Sequence, residues 1–201
     1  MGLLNFEWLG ERNQVADSVP LLSVENITVR LGQCPVLEDV SLQLFEGEQV
    51  RVTGPNGSGK STLLNTIMGV VPVSSGRILF KGQDFARLAT HERANLGIRY
   101  MRQRDNVFPG LTVRENLQLA LGENGYQRFQ TAYPEWAKDI PESMSAGMLS
   151  GGQKQKLAWG MTLLCTGHLW LLDESFAGVS ADVKYDLLIK PKHFSSLEVT
   201  H

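Results

Sequence analysis

Nine consecutive residues, Gly54-Pro-Asn-Gly-Ser-Gly-Lys-Ser-Thr62, follow an alternating apolar stretch and precede a helical one. They fit the pattern G-x-x-x-x-G-K-S/T, and each residue type has a physical task. Glycines allow positive φ and leave room for backbone to wrap a phosphate. Backbone N–H groups of 57–62 then point at the β-phosphate, aided by a helix N-terminus. Lys60 places a cation between β- and γ-phosphates, and the Ser61 hydroxyl can ligate Mg²⁺. At this composition, about 0.01 chance matches are expected. The alternative, a glycine-rich turn with an exposed lysine, is far weaker in this context. The loop is expected to bind a nucleoside triphosphate.

Two carboxylates supply the next candidate. Leu169-Trp-Leu-Leu172 is an apolar run ending in Asp173-Glu174, as for a buried parallel strand opening at a ligand crevice. There Asp173 would hold Mg²⁺ through water and Glu174 would polarise an attacking water. Alone, the run also fits an ordinary strand and turn; the phosphate loop gives it meaning. A third constellation, Leu149-Ser-Gly-Gly-Gln-Lys-Gln-Lys-Leu-Ala158, starts a helix. Ser150 is a good N-cap, and Gly151 and Gly152 let an anion approach.

These residues need strands and helices to hold them. Leu22–Val29, Val36–Leu44 and Gln49–Thr53 alternate as strands, with Gly47 as a turn. After Gly59, the residues Leu63, Leu64, Ile67 and Met68 mark one helical face, ended by Gly69 and Pro72. Arg77–Phe80 reads as a short strand closed by Gly82. Thr112–Leu121 reads as a helix with a Thr112/Glu115 capping box. Strand, glycine loop and helix in succession signal an α/β sheet. Tyr126, Phe129, Tyr133 and Trp136 recur at helical spacing, although Pro134 should break that helix. The stripe suits the small core of a helical subdomain, or a docking surface for a partner helix. At the N-terminus, Leu3, Leu4, Phe6, Trp8 and Leu9 either pack on the domain, fray or touch a surface.

With 201 residues, 42% of them hydrophobic, the chain can bury a substantial core. A balance of 19 Lys+Arg against 21 Asp+Glu gives no footprint for general nucleic-acid binding, so no nucleic-acid partner is expected. Cys34 and Cys165 cannot build a disulfide framework or a four-ligand zinc site. No stretch is long and apolar enough to span a membrane.

Together these residues resemble the nucleotide-binding subunit of an ATP-binding cassette (ABC) transporter, whose signature is LSGGQ. Gln103 in Tyr100-Met-Arg-Gln103, followed by Asn106-Val-Phe-Pro-Gly-Leu-Thr-Val-Arg-Glu-Asn-Leu117, is similar to that family's Q-loop and following helix. Order and spacing agree from about residue 22 to 183. The stretches VFPGLTVRENL and AGMLSGGQKQKLA resemble importers of the branched-chain amino-acid type. The resemblance implies an α/β fold: a P-loop NTPase core with a mixed β-sheet, an N-terminal antiparallel β subdomain and a small α-helical subdomain at about 104–148. Residues 1–21 would form an N-terminal extension and 22–201 the ATPase domain.

It further implies ATP and Mg²⁺ as cofactors. Gly54, Pro55, Asn56, Gly57, Ser58, Gly59, Lys60, Ser61 and Thr62 would bind nucleotide. Ser61, Gln103 and Asp173 would hold the metal, and Glu174, Gln103 and Lys60 would be catalytic. Ser150, Gly151, Gly152 and Gln153 would cover the γ-phosphate held by a second cassette, in a head-to-tail homo- or heterodimer. The other implied partners are transmembrane permease subunits and, indirectly, a solute-binding protein. The implied location is the cytoplasmic face of the inner membrane, as a peripheral subunit.

Four departures qualify that expectation. Leu31 stands where an aromatic residue usually stacks on adenine. Ser175 replaces the usual Pro after Glu174, and Ser180 stands where many relatives carry Asp. Only 27 residues follow Glu174, so a truncated or divergent C-terminus is expected. His201, in Leu197-Glu-Val-Thr-His201, is a candidate for the switch histidine, and His193 falls too early. Two alternatives stay open: an ATP-binding regulatory or hydrolysis-impaired cassette lacking that switch, and a soluble non-transport ABC ATPase.

Overall fold

A computed structural model describes residues 4–9, 18–174 and 195–200. The strands are β1 (Asn5–Trp8), β2 (Leu22–Leu31), β3 (Cys34–Leu44), β4 (Gln49–Thr53), β5 (Ser75–Phe80), β6 (Gln83–Asp84), β7 (Ile98–Met101), β8 (Leu169–Asp173) and β9 (Ser195–Val199). The helices are α1 (Lys60–Met68), α2 (Thr90–Asn95), α3 (Val113–Leu121), α4 (Gly125–Ala132), α5 (Pro134–Asp139) and α6 (Gly151–Leu164). The described residues divide into two units, the second comprising Met101–Thr166.

The first unit contains both sheets. One is antiparallel, ordered β3-β2-β5-β6; the other is mixed, ordered β1-β4-β9-β8-β7. In the mixed sheet β4, β9 and β8 run parallel, while β1 pairs antiparallel with β4. Of the N-terminal apolar residues, Leu4, Phe6 and Trp8 pack against the main core, and Leu3 lies outside the described residues. Every residue of β8 is buried, as an apolar strand inside a parallel sheet requires. α1 packs on β8 and β9, burying Leu63, Leu64, Ile67 and Met68, and stops at Gly69 in the left-handed conformation. The β4–loop–α1 passage is thus anchored on both sides, leaving its turn at the C-terminal ends of parallel strands.

The second unit is helical. The Thr112 hydroxyl accepts from the Glu115 backbone N–H, and Glu115 accepts from the Thr112 N–H in return. That bond holds the Glu115 carboxyl below its ordinary pKa. The aromatic stripe splits at Tyr133, with Pro134 as first residue of α5, because proline cannot donate to the preceding turn but suits a helix start. Phe129 is fully buried, and Tyr133 stacks on Trp136 with centroids 4.6 Å apart. These aromatics form the core of the helical unit with Val113, Leu117, Ile140 and Leu157. Among the described residues no helix is long and apolar enough to cross a membrane.

Candidate functional site

The loop from Gly54 to Gly59 joins the end of β4 to the start of α1. Gly59 caps the helix at φ 96°, and a Cβ there would lie 2.6 Å from Leu37 Cδ2 and 3.0 Å from the Val36 carbonyl. Neither the dihedral nor the space admits another residue. No side chain caps α1 and its first turn contains no acid. The N–H groups of Lys60, Ser61 and Thr62 therefore face outward at the positive end of the helix, with Leu63 the first to bond within it. Ser58 Oγ is buried and finds no hydrogen-bonding partner among the described residues. Pro55, Asn56 and Gly57 are exposed along the outer edge.

Lys60 is only 5% exposed, so its ammonium needs partners inside the loop. Its Nζ donates to the carbonyls of Gly54 at 2.7 Å and Pro55 at 3.0 Å. A phosphate in the curl of the loop would meet the outward N–H groups, the Ser58 hydroxyl and this ammonium. An open helix start and an orphaned buried hydroxyl fit an oxyanion, and Lys60 supplies the matching charge.

Beside the loop, the Ser61 hydroxyl donates to Asp173 Oδ1 at 3.0 Å. Asp173 ends β8 and is 7% exposed. A hydroxyl and a carboxylate next to a phosphate cradle are hard oxygen ligands suited to Mg²⁺, which takes its other ligands from phosphate and water. Glu174 follows at φ 47°, with its backbone N–H on the Val199 carbonyl at 3.0 Å. This left-handed turn, fastened to β9, takes Glu174 out of the strand immediately beyond Asp173.

Within the first unit, then, the structure unites Gly54–Thr62, Asp173 and Glu174. Gln103 and Ser150–Gln153 belong to the second unit. Gln103 is exposed in a loop closed by Asn106, whose side chain accepts from the Arg102 N–H at 2.9 Å and donates to the Arg102 carbonyl at 2.6 Å. Ser150 caps α6 by accepting from the Gln153 N–H, and Gln153 returns the bond to the Ser150 N–H. Gln153 also donates to the Asp139 carbonyl at 2.8 Å. Among the described residues, a Cβ on Gly151 or Gly152 would meet nothing within 4 Å, so none of them requires glycine at these positions. Leu31 closes β2 opposite Cys34 and is 53% exposed. Ser175, Ser180, His193 and His201 lie outside the described residues.

Sequence reasoning missed Tyr100 and Asn65. The Tyr100 hydroxyl lies 3.2 Å from Asn65 Oδ1 and 3.4 Å from Asp173 Oδ2. The available signal was spacing: Asn65 follows Ser61 by one helical turn, and Tyr100 ends a strand just before Gln103.

Several known proteins resemble this chain. The sequence profile of the ABC transporter family matches residues 37–177. The probable branched-chain amino acid transport ATP-binding protein LivF of Archaeoglobus fulgidus is 37% identical over 163 residues, 77% of this chain and 69% of that protein. The sulfate/thiosulfate import ATP-binding protein CysA of Photorhabdus laumondii is 33% identical over 199 residues; the match spans 90% of this chain and 53% of that longer protein. The manganese transport system ATP-binding protein MntB of Bacillus subtilis is 36% identical over 172 residues, 80% of this chain and 66% of that protein. A solved ATP-binding cassette of an ABC transporter superposes with TM-score 0.74 at 25% identity, covering 92% of this chain and 83% of the other. The chain belongs to the ABC transporter family, as one of its ATP-binding, ATP-hydrolysing cassettes.

Proposed function

We propose that the cassette energises a solute importer of the branched-chain amino-acid type by binding MgATP at Gly54–Thr62. The observation that carries the nucleotide site is the meeting of Lys60, Ser61 and Asp173 at the uncapped start of α1. Lys60 would exchange its two carbonyl partners for β- and γ-phosphate oxygens. Ser61 and Asp173, with Gln103, would hold Mg²⁺, which when bound neutralises charge on the phosphate oxygens. Glu174 would accept a proton from the attacking water. The exposed start of α6, with its bare glycines, suits the γ-phosphate of a second cassette arranged head to tail. Residues 22–201 would then make up the ATPase domain, with 1–21 an extension and a helical subdomain at about 104–148.

Permease subunits would bind this cassette at the cytoplasmic face of the membrane, and a solute-binding protein would deliver cargo to them. Phe108 and Met148, 62% and 80% exposed on the helical unit, offer apolar surface for such a partner. The identity with LivF supports the branched-chain assignment, while CysA and MntB carry other cargoes in their names. The test is reconstitution with candidate permeases in vesicles. Uptake of labelled leucine that needs ATP inside and fails with Lys60→Ala supports the reading. ATP-driven uptake of sulfate or manganese without leucine overturns the cargo, and no uptake of any of them by permeases that bind the cassette overturns the importer role.

A further inference from the structure

We propose that Tyr100 is a positioning residue for the metal-binding carboxylate, a reading that rests on Ser61 and Asp173 holding Mg²⁺. Ser61 donates to one oxygen of Asp173, Oδ1 at 3.0 Å. A carboxylate held at one oxygen can still swing about its Cβ–Cγ bond. The Tyr100 hydroxyl meets the other oxygen, Oδ2, at 3.4 Å, so contacts at both oxygens limit that rotation. Asn65 Oδ1 lies on the far side of the same hydroxyl at 3.2 Å. The single phenolic proton faces two acceptors, and the charged one attracts it more strongly.

The supports of this contact are rigid. Tyr100 sits on β7, the neighbour of β8 in the mixed sheet. Asn65 lies one turn beyond Ser61 on α1 and its carbonyl accepts the Val70 N–H at 2.8 Å. Helix and two strands thus converge on one carboxylate. Tyr100 is also the last residue of the first unit before the chain enters the second, three positions ahead of Gln103.

Tyr100→Phe removes the hydroxyl and keeps the ring. The experiment titrates a fluorescent ATP analogue onto the full chain in EDTA, and then titrates Mg²⁺ into the nucleotide complex. We expect the half-saturating Mg²⁺ concentration to rise about three- to tenfold, the scale of one typical intramolecular hydrogen bond. Metal-free nucleotide affinity and thermal midpoint stay as in the parent. An unchanged Mg²⁺ requirement overturns the proposal, and so does an equal loss of affinity with and without metal, which would mark a structural role. Asp173→Asn is run in parallel. If it shifts the Mg²⁺ requirement and Tyr100→Phe does not, the metal site stands and the role of Tyr100 falls. If Asp173→Asn shifts nothing, the metal reading falls and takes the proposal with it.

Discussion

Arg93 offers the sharpest test of how α1 is held in place. Its side chain is 3% exposed, yet it carries a guanidinium. The Nε donates to the Leu88 carbonyl at 2.9 Å and Nη2 to Ala86 at 2.6 Å, while Nη1 donates to Thr66 at 2.9 Å and Ile67 at 2.8 Å. Thr66 and Ile67 lie in the last turn of α1, at the negative end of the dipole, and the Thr66 carbonyl also accepts the Gly69 N–H at 3.1 Å. Burial pushes the guanidinium pKa down and Asp84 pulls it back up, and the Phe85 ring lies 4.9 Å below it. Arg93→Met removes the charge, retains the stem and leaves four carbonyls short of a donor. Removing one side of such a buried polar cluster costs about 3–5 kcal/mol, or a fall in midpoint of about 6–20 °C for a chain of this size. Arg93→Lys keeps the charge but not the fork, and should lose about 2 kcal/mol. The assay is urea unfolding followed by tryptophan fluorescence. A Met variant within about 1 kcal/mol of the parent would refute the argument. Gly69 supplies a cross-check, because a Cβ there would lie 2.7 Å from Arg93 Cζ. Gly69→Ala should therefore destabilise the parent more than it destabilises Arg93→Met.

Other expectations follow from the site and its supports. Glu174→Gln should slow ATP hydrolysis about 10²–10⁴-fold and trap an ATP-bound dimer, seen by turnover assay and size-exclusion chromatography; wild-type turnover would remove Glu174 from catalysis. Leu31→Tyr restores a ring at an exposed strand end and should tighten ATP binding about two- to tenfold over the parent, measured by calorimetry; no gain would mean that Leu31 does not face the base. Ser150→Ala should cost about 1 kcal/mol through loss of the α6 cap, and urea unfolding would detect it. The Glu115 carboxyl has a lowered folded pKa, so its contribution is full above the ordinary glutamate pKa and is lost as pH falls through the lowered value. Glu115→Gln should flatten that part of the acid-stability profile, and an unaltered profile would show that the capping bond contributes nothing.

Local signals in the sequence carried much of this account. Alternation marked β2 and β4, the Leu63–Met68 face marked α1, and Ser150 and Thr112 marked two helix starts. The aromatic stripe identified the helical core, and Pro134 its break. Illegible features depend on contacts between distant residues. The residues before His201 suggested a short strand by resemblance, but β9 entering between β4 and β8 was not readable, because five residues with buried serines and a glutamate carry no alternating pattern. α2 has six residues, too few for periodicity, so Arg93 looks like an ordinary surface charge. Tyr100 and Asn65 meet at Asp173 only because α1, β7 and β8 converge, 35 and 73 residues separating Tyr100 from its partners. The chemistry of Lys60 and Ser61 was readable because both lie in one short loop.

Nucleotide binding at this site requires that the curl between β4 and α1 hold the phosphates of ATP through Lys60. Calorimetric titration of the full chain with MgATP, beside Lys60→Ala, tests it most directly. We expect saturation at one nucleotide per chain and at least a tenfold weaker affinity in the variant, with its circular dichroism unchanged. Equal affinity in the two proteins, or no binding by the parent, would contradict it.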